Sequence, residues 1–232
     1  MSWHVKRYGG WTYEETEGLD NAHMMFDDCV ADGWSKPAIA AMLGNGAGES
    51  GLNPWRWEGD NIIASTDTTA MWDLSHGYGL FQFTPSGKYL TSSYAQSFAT
   101  FGPNYSDIAG NPLDGYAQMH FFTNLVPNDW LNTYDYYHDD FAAIGIDIAP
   151  FYISFDDFKN GNVSMDVLVG AFELRFERPG SSEAAGSYNY RLEHAREWLT
   201  IIQDWEGGGG SVTDDDLLGW LLLRHKRRWW RK

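Results

Sequence analysis

A chain of 232 residues, 43% of them apolar, can build one domain with a full core, or one domain and an appendage. Its formal net charge of −16 argues against a nucleic-acid partner, because phosphate recognition needs a surplus of lysine and arginine. The single cysteine, Cys29, excludes an intramolecular disulfide and a cysteine-rich zinc site, and no apolar run approaches the roughly 18 residues of a membrane-spanning helix.

Residues 1–16 are polar and aromatic and predict an irregular start. The leading MSWHVKRYGG has no apolar stretch of signal-peptide length, so synthesis in a cytoplasm without a signal peptide is expected. From about Glu17 to Ala31 the positions Ala22, Met25, Phe26, Cys29 and Val30 share one helical face. That turns Cys29 inward, where a packing role outweighs a nucleophilic one. Gly33 stops this helix. Ser35 caps the next, with Pro37 in its first turn and Ile39, Met42 and Leu43 on the buried side. Gly44, Gly46 and Gly48 are expected to fray or end it close to Glu49.

Between Gly59 and Gly87 the helical period is lost. Leu80, Phe81 and Phe83 suggest short extended pieces, the one β region of the chain. Asn111-Pro112 opens a helix to about Leu125, with His120 packed in the core. Residues 127–162 are acidic and aromatic, with a short helix possible after Ser154. Ser164 caps a helix to about Phe176, which Arg178-Pro179-Gly180 ends. A last helix is expected from about Tyr188 to Trp205.

The charge then changes sign. Residues 1–206 hold 10 Lys and Arg against 29 Asp and Glu, whereas 207–232 hold 6 against 3. The division expected is a domain at 1–206, a glycine-rich linker at 207–212 and a tail at 213–232. In the tail, Asp214 to Asp216 suit a helix start and Arg224 to Lys232 a helix end, around the apolar Leu217 to Leu223. Such a segment either docks on a partner, a second copy or an anionic surface, or is a disordered basic tail.

The stretch from Leu43 to Glu58 delivers one carboxylate, Glu49, beside Trp55 and Trp57. Large apolar rings disfavour the charged form of a carboxyl, which suits a general acid. Aromatics make up 16% of the chain, and such flat faces can stack on sugar rings or simply fill the core. Other chemistries find no support. His194-Ala-Arg-Glu197 lacks zinc-ligand spacing, no glycine loop ends in Gly-Lys-Ser/Thr, and no metal or cofactor is expected.

Several short pieces occur in a telling order. They are Gly33-Trp34, Ala38-Ile39, Leu43-Gly44-Asn45, Glu49-Ser50, Asn53-Pro54 and Trp57, then Gly77-Tyr78-Gly79-Leu80-Phe81-Gln82 with Pro85, then Phe176-Glu177-Arg178-Pro179-Gly180. In this the chain resembles the phage tail lysozyme family, relatives of goose-type lysozymes and soluble lytic transglycosylases, over about residues 8–205. The resemblance implies a mainly α, lysozyme-like α+β fold: a helical domain with a small β hairpin beside the active-site cleft. It implies cleavage of the MurNAc–GlcNAc strand of bacterial peptidoglycan by a muramidase-type hydrolase carried on a phage tail. It makes Glu49 the general acid and Asp73 a candidate base, with Ser50, Trp57, Tyr78, Gln82 and Glu173 as substrate-binding residues.

Where goose-type lysozymes have a second aspartate, this chain has Thr84. Glu173 and Glu177 are candidates to face the cleft, but Glu177 beside Arg178 reads more simply as a structural ion pair. The Ala-Tyr-Asn motif of transglycosylases is represented only by Ala171-Phe172-Glu173, which weakens that alternative. A non-catalytic glycan-binding or structural tail component is the other alternative. Expected partners are bacterial peptidoglycan, tail proteins through 213–232, and peripheral membrane contact by the same tail.

Overall fold

The computed structural model describes residues 3–6, 9–58, 76–93, 95 and 113–206. Asp73, the linker at 207–212 and the tail at 213–232 lie outside the described residues.

The described chain is mainly helical. Helix α1 (Thr16–Ala31) buries Ala22, Met25, Phe26 and Cys29, the face its periodicity predicts. Helix α2 (Lys36–Ser50) opens at Ser35, whose side chain accepts a hydrogen bond from the Ala38 amide at 3.4 Å, and carries Pro37 in its first turn. It does not fray at its glycines. It runs through all three to Ser50 and ends where Gly51 turns left-handed at φ 59°. The reason lies in packing: a Cβ on Gly44 would stand 2.7 Å from the backbone nitrogen of Ala195. Glycine there lets another helix approach, and burial overrides its weak helix propensity.

After the short α3 (Gly87–Leu90) come α4 (Leu113–Leu125), α5 (Tyr134–Ala143) and α6 (Phe155–Asn160). Ser154 caps α6 by accepting from the Asp157 amide at 3.0 Å. Helix α7 (Met165–Phe172) follows Ser164, whose side chain makes no capping bond. The continuous helix expected up to Phe176 instead widens into a π turn at Glu173–Glu177. Helix α8 (Ser181–Ile202) begins well ahead of the expected Tyr188, with Gly180 at its cap. His120 is half-buried rather than enclosed.

Helix α2 is the centre of the molecule, buried from Ala38 to Gly46, and its most extensive packing is against α8. Rings close the far side of the core. Phe81 stacks on Phe122 with centroids 4.2 Å apart, and Phe172 and Phe176 pack edgewise or tilted around them.

The expected β hairpin takes a different form: no strand is present among the described residues. Segment 77–83 makes turns, with two isolated antiparallel bridges, Trp57 with Tyr78 and Tyr78 with Phe83. Left-handed Gly79 (φ 84°) and Gln82 (φ 44°) interrupt any extended run. Polar anchors fix the segment from beneath. The Leu80 amide donates to Gln118 at 2.8 Å, and the Tyr78 and Tyr89 hydroxyls donate to Asp114 at 2.6 and 2.5 Å. Burial pushes the Asp114 carboxyl up to about 6, against the pull of those hydrogen bonds.

Candidate active site

Glu49 stands in the last turn of α2, and the residues after it fix that helix end from three directions. The Ser50 hydroxyl, fully buried, donates to the Leu80 carbonyl at 2.8 Å and ties the helix to the 77–83 turns. Gly51 packs so closely on Gly10 that neither tolerates a Cβ, and the Trp11 amide donates to the Gly51 carbonyl at 2.6 Å. Asn53 and Asn21 finish the fastening: Asn53 donates to the Lys6 and Gly9 carbonyls at 2.7 and 2.8 Å, and Asn21 to the Leu52 carbonyl at 2.8 Å.

Glu49 forms one wall of a cleft of about 630 Å³, within the roughly 300–1,000 Å³ of ordinary ligand sites. Trp57, Gln82, Glu177, Arg178 and Arg191 also line it. Gln82 is oriented by its own amide, which donates to the Arg56 and Gly79 carbonyls at 3.0 and 3.1 Å.

One buried cation organises the acids. Arg191 donates through Nη2 to Glu49 Oε1, through Nη1 to Asn45 Oδ1 at 3.2 Å, and lies with Nε 3.0 Å from Glu173 Oε1. Glu49 keeps 19% of its side chain in solvent, whereas Glu173 has none. Ser187 donates to Glu173 Oε1 at 2.8 Å, while Oε2 has no partner. Burial pushes the Glu173 carboxyl up to about 7, more than Arg191 and Ser187 pull it down. Glu177 is half-buried at the cleft. Its Oε1 is buried with no partner, and burial first, the Glu49 charge second, hold its pKa well above the usual carboxylate range.

The expected Glu177–Arg178 ion pair does not form. Arg178 is left-handed at φ 55° and instead reaches Asp129, with Nη2 3.1 Å from Oδ2 and Nη1 2.9 Å from the carbonyl.

The structure sorts the expected site residues into two groups. Glu49, Trp57 and Gln82 line the cleft. Ser50, Tyr78 and Glu173 are buried and do not line it. The neighbour bonded to the Glu49 carboxylate is the Arg191 guanidinium, not the aromatic floor that Trp55 and Trp57 suggested. Arg191 escaped the sequence reading, although a signal was present. It falls between Tyr188 and Ala195 on the apolar stripe of its helix, where an arginine has to be buried and paired.

Among the described residues no group of side chains could hold a metal ion, and no helix is long and apolar enough to cross a membrane. The acid-lined cleft thus lies at the end of the central helix α2. The chain belongs to the phage tail lysozyme family, whose sequence profile matches residues 20–202. It is also similar to Morphogenesis protein 1 of Bacillus phage B103, at 39% identity over 70 residues. That match covers 30% of this chain and 17% of the phage protein, so it spans a small part of its relative's length.

Proposed function

We propose that this protein is a peptidoglycan glycosidase that hydrolyses the MurNAc–GlcNAc strand, borne on a phage tail and opening the wall locally for passage of the genome. The observation that carries the reading is the set of carboxyls, Glu49 and Glu177 with Glu58 and Glu183, lining one cleft of sugar-binding size at the end of α2. Glycosidic hydrolysis uses two carboxyl groups in different protonation states flanking the bond. Trp57 offers an apolar face and Gln82 an amide at the same opening. Membership of the phage tail lysozyme family supports the substrate class.

A transglycosylase on the same bond would let the sugar's own hydroxyl attack and would leave a second cleft carboxyl without a task. The incomplete transglycosylase motif at Ala171-Phe172-Glu173, which lacks the tyrosine hydroxyl, favours hydrolysis. Mass spectrometry of fragments released from purified peptidoglycan tests this: reducing muramic ends are expected, and 1,6-anhydro ends would replace hydrolysis by transglycosylation. Glu49→Gln is expected to abolish release with the fold intact. Full release by that variant would remove Glu49 from the chemistry, and a wild-type protein that binds walls without releasing sugar would make this a glycan-binding module. Contact with other tail proteins or a membrane surface is assigned to 213–232, and deletion of that segment is expected to weaken assembly or membrane association.

A further inference from the structure

Helix α8 carries three rings four residues apart, Tyr190, His194 and Trp198, a spacing that puts them on one face. With Trp11, Tyr13 and Glu14, from the segment ahead of α1, they line a second pocket of about 220 Å³. It adjoins the cleft. The exposed Tyr190 lines both, and on α2 Ala47 lines the pocket while the next residues, Gly48 and Glu49, line the cleft. The pocket is smaller than an ordinary ligand site, so it suits one side group of a larger molecule lying in the cleft.

Two features define that group. The first is negative charge beside aromatic rings. The Tyr13 hydroxyl donates to Glu197 Oε1 at 3.1 Å. That bond first, then partial burial, then the charges of Glu197, Glu14 and Glu193 raise the phenol above its ordinary value. A ring here already receives an ammonium: Lys6 Nζ lies 3.9 Å from the centre of the Trp11 ring. The second feature is a pair of donors. The indole N–H groups of Trp11 and Trp198 are buried without an acceptor, and Trp198 is 1% exposed. Buried donors of this kind call for a carbonyl oxygen. An ammonium on a chain rich in amide carbonyls answers both.

We propose that this pocket binds the peptide stem of MurNAc through the free side-chain ammonium of its diamino acid, so that the protein reads stem peptides beside the glycan bond. The assignment rests on the peptidoglycan reading above and names the part of that substrate the second pocket takes. The sugars of the strand are neutral, and the stem carboxylates are repelled by Glu14, Glu193 and Glu197. Cross-linking turns the stem amine into an uncharged amide, so the pocket favours stems that are not cross-linked.

The experiment titrates the full chain with a soluble lysine-containing stem pentapeptide and with the same peptide acetylated on the lysine amine, a readout that needs no cleavage. The wild type is expected to bind the free-amine peptide about three- to tenfold more tightly. Glu14→Lys, a change at an exposed residue, should erase that preference. Equal affinity for the two peptides overturns the assignment, as does a preference that survives both Glu14→Lys and Tyr190→Ala. On glycan strands, free-amine stems should lower KM relative to strands stripped of peptide by an amidase, with kcat alike. Glu14→Lys should remove this advantage and leave turnover of stripped strands unchanged. A Glu14→Lys variant weakened equally on stripped strands would put a sugar in the pocket and also overturn the assignment. A protein that binds the free-amine peptide selectively yet cleaves no strand would sink the glycosidase reading and leave the pocket assignment standing.

Discussion

Arg191 Nε lies 3.0 Å from the Glu173 carboxylate, and the two side chains expose 4% and 0% of their surface. Removing one member of such a pair strands the other in a medium that cannot solvate it, at a cost on the order of 3–5 kcal/mol. Arg191→Met should therefore lower the urea midpoint sharply. Combining it with Glu173→Gln should recover part of the loss, because the stranded charge is gone. Arg191→Lys is expected to recover little, since one ammonium cannot serve Glu49, Glu173 and Asn45 with the guanidinium's planar fork. A double variant no more stable than Arg191→Met would contradict this account.

Ser50→Ala removes the hydroxyl that joins the end of α2 to the Leu80 carbonyl, leaving a buried acceptor unsatisfied. A loss of about 1–3 kcal/mol is expected. Hydrogen exchange should speed up at the amides of Leu80 to Phe83 more than elsewhere, and wall-clearing activity should fall with Glu49 still in place. Uniform exchange across the molecule would mean that Ser50 acts only on global stability.

The buried acids set a pH dependence of known sign. Burial raises Asp28 to about 7, with Asp27 adding to it, and Glu173 to about 7, both above their unfolded values. A raised carboxyl contributes stability that is fully present below its unfolded pKa and lost as pH rises through its folded one. Stability should accordingly fall between about pH 4 and 8. Asp28→Asn should stabilise the protein at pH 8 by up to about 4 kcal/mol and change little at pH 4. Urea unfolding at three pH values reads both effects, and a variant with the wild-type pH slope would exclude Asp28 as a source.

Two glycines in helices should respond in opposite directions to alanine. At Gly44 the added methyl would meet the Ala195 backbone at 2.7 Å, whereas at Gly186 nothing lies within 4 Å. Gly186→Ala should stabilise α8 by about 0.5–1 kcal/mol through helix propensity. Gly44→Ala should destabilise despite the same gain, because overpacking costs about 1–3 kcal/mol. Thermal melts of the two single variants settle the contrast.

That contrast also explains how far the sequence could be read. Periodicity located α1, and Ser35, Pro37 and Ser154 located two helix starts, because those signals are local. The glycines of α2 were read as breakers, since a tight crossing with Ala195 has no signature within a short window of sequence. The π turn at Glu173–Glu177 was equally invisible, and with it the turning of Arg178 toward Asp129. In the site, ordered motifs brought Glu49, Trp57 and Gln82 to one cleft. Arg191, more than a hundred positions downstream, joins them only through the packing of α8 on α2.

The same crossing bears on how the groove can move. Gly44 and Ala195 press backbone against backbone, and the two helices they join carry Glu49 and Arg191. Sliding or rocking one helix on the other would break atomic contact along that seam, so the carboxylate and its counter-ion behave as parts of a single stiff body.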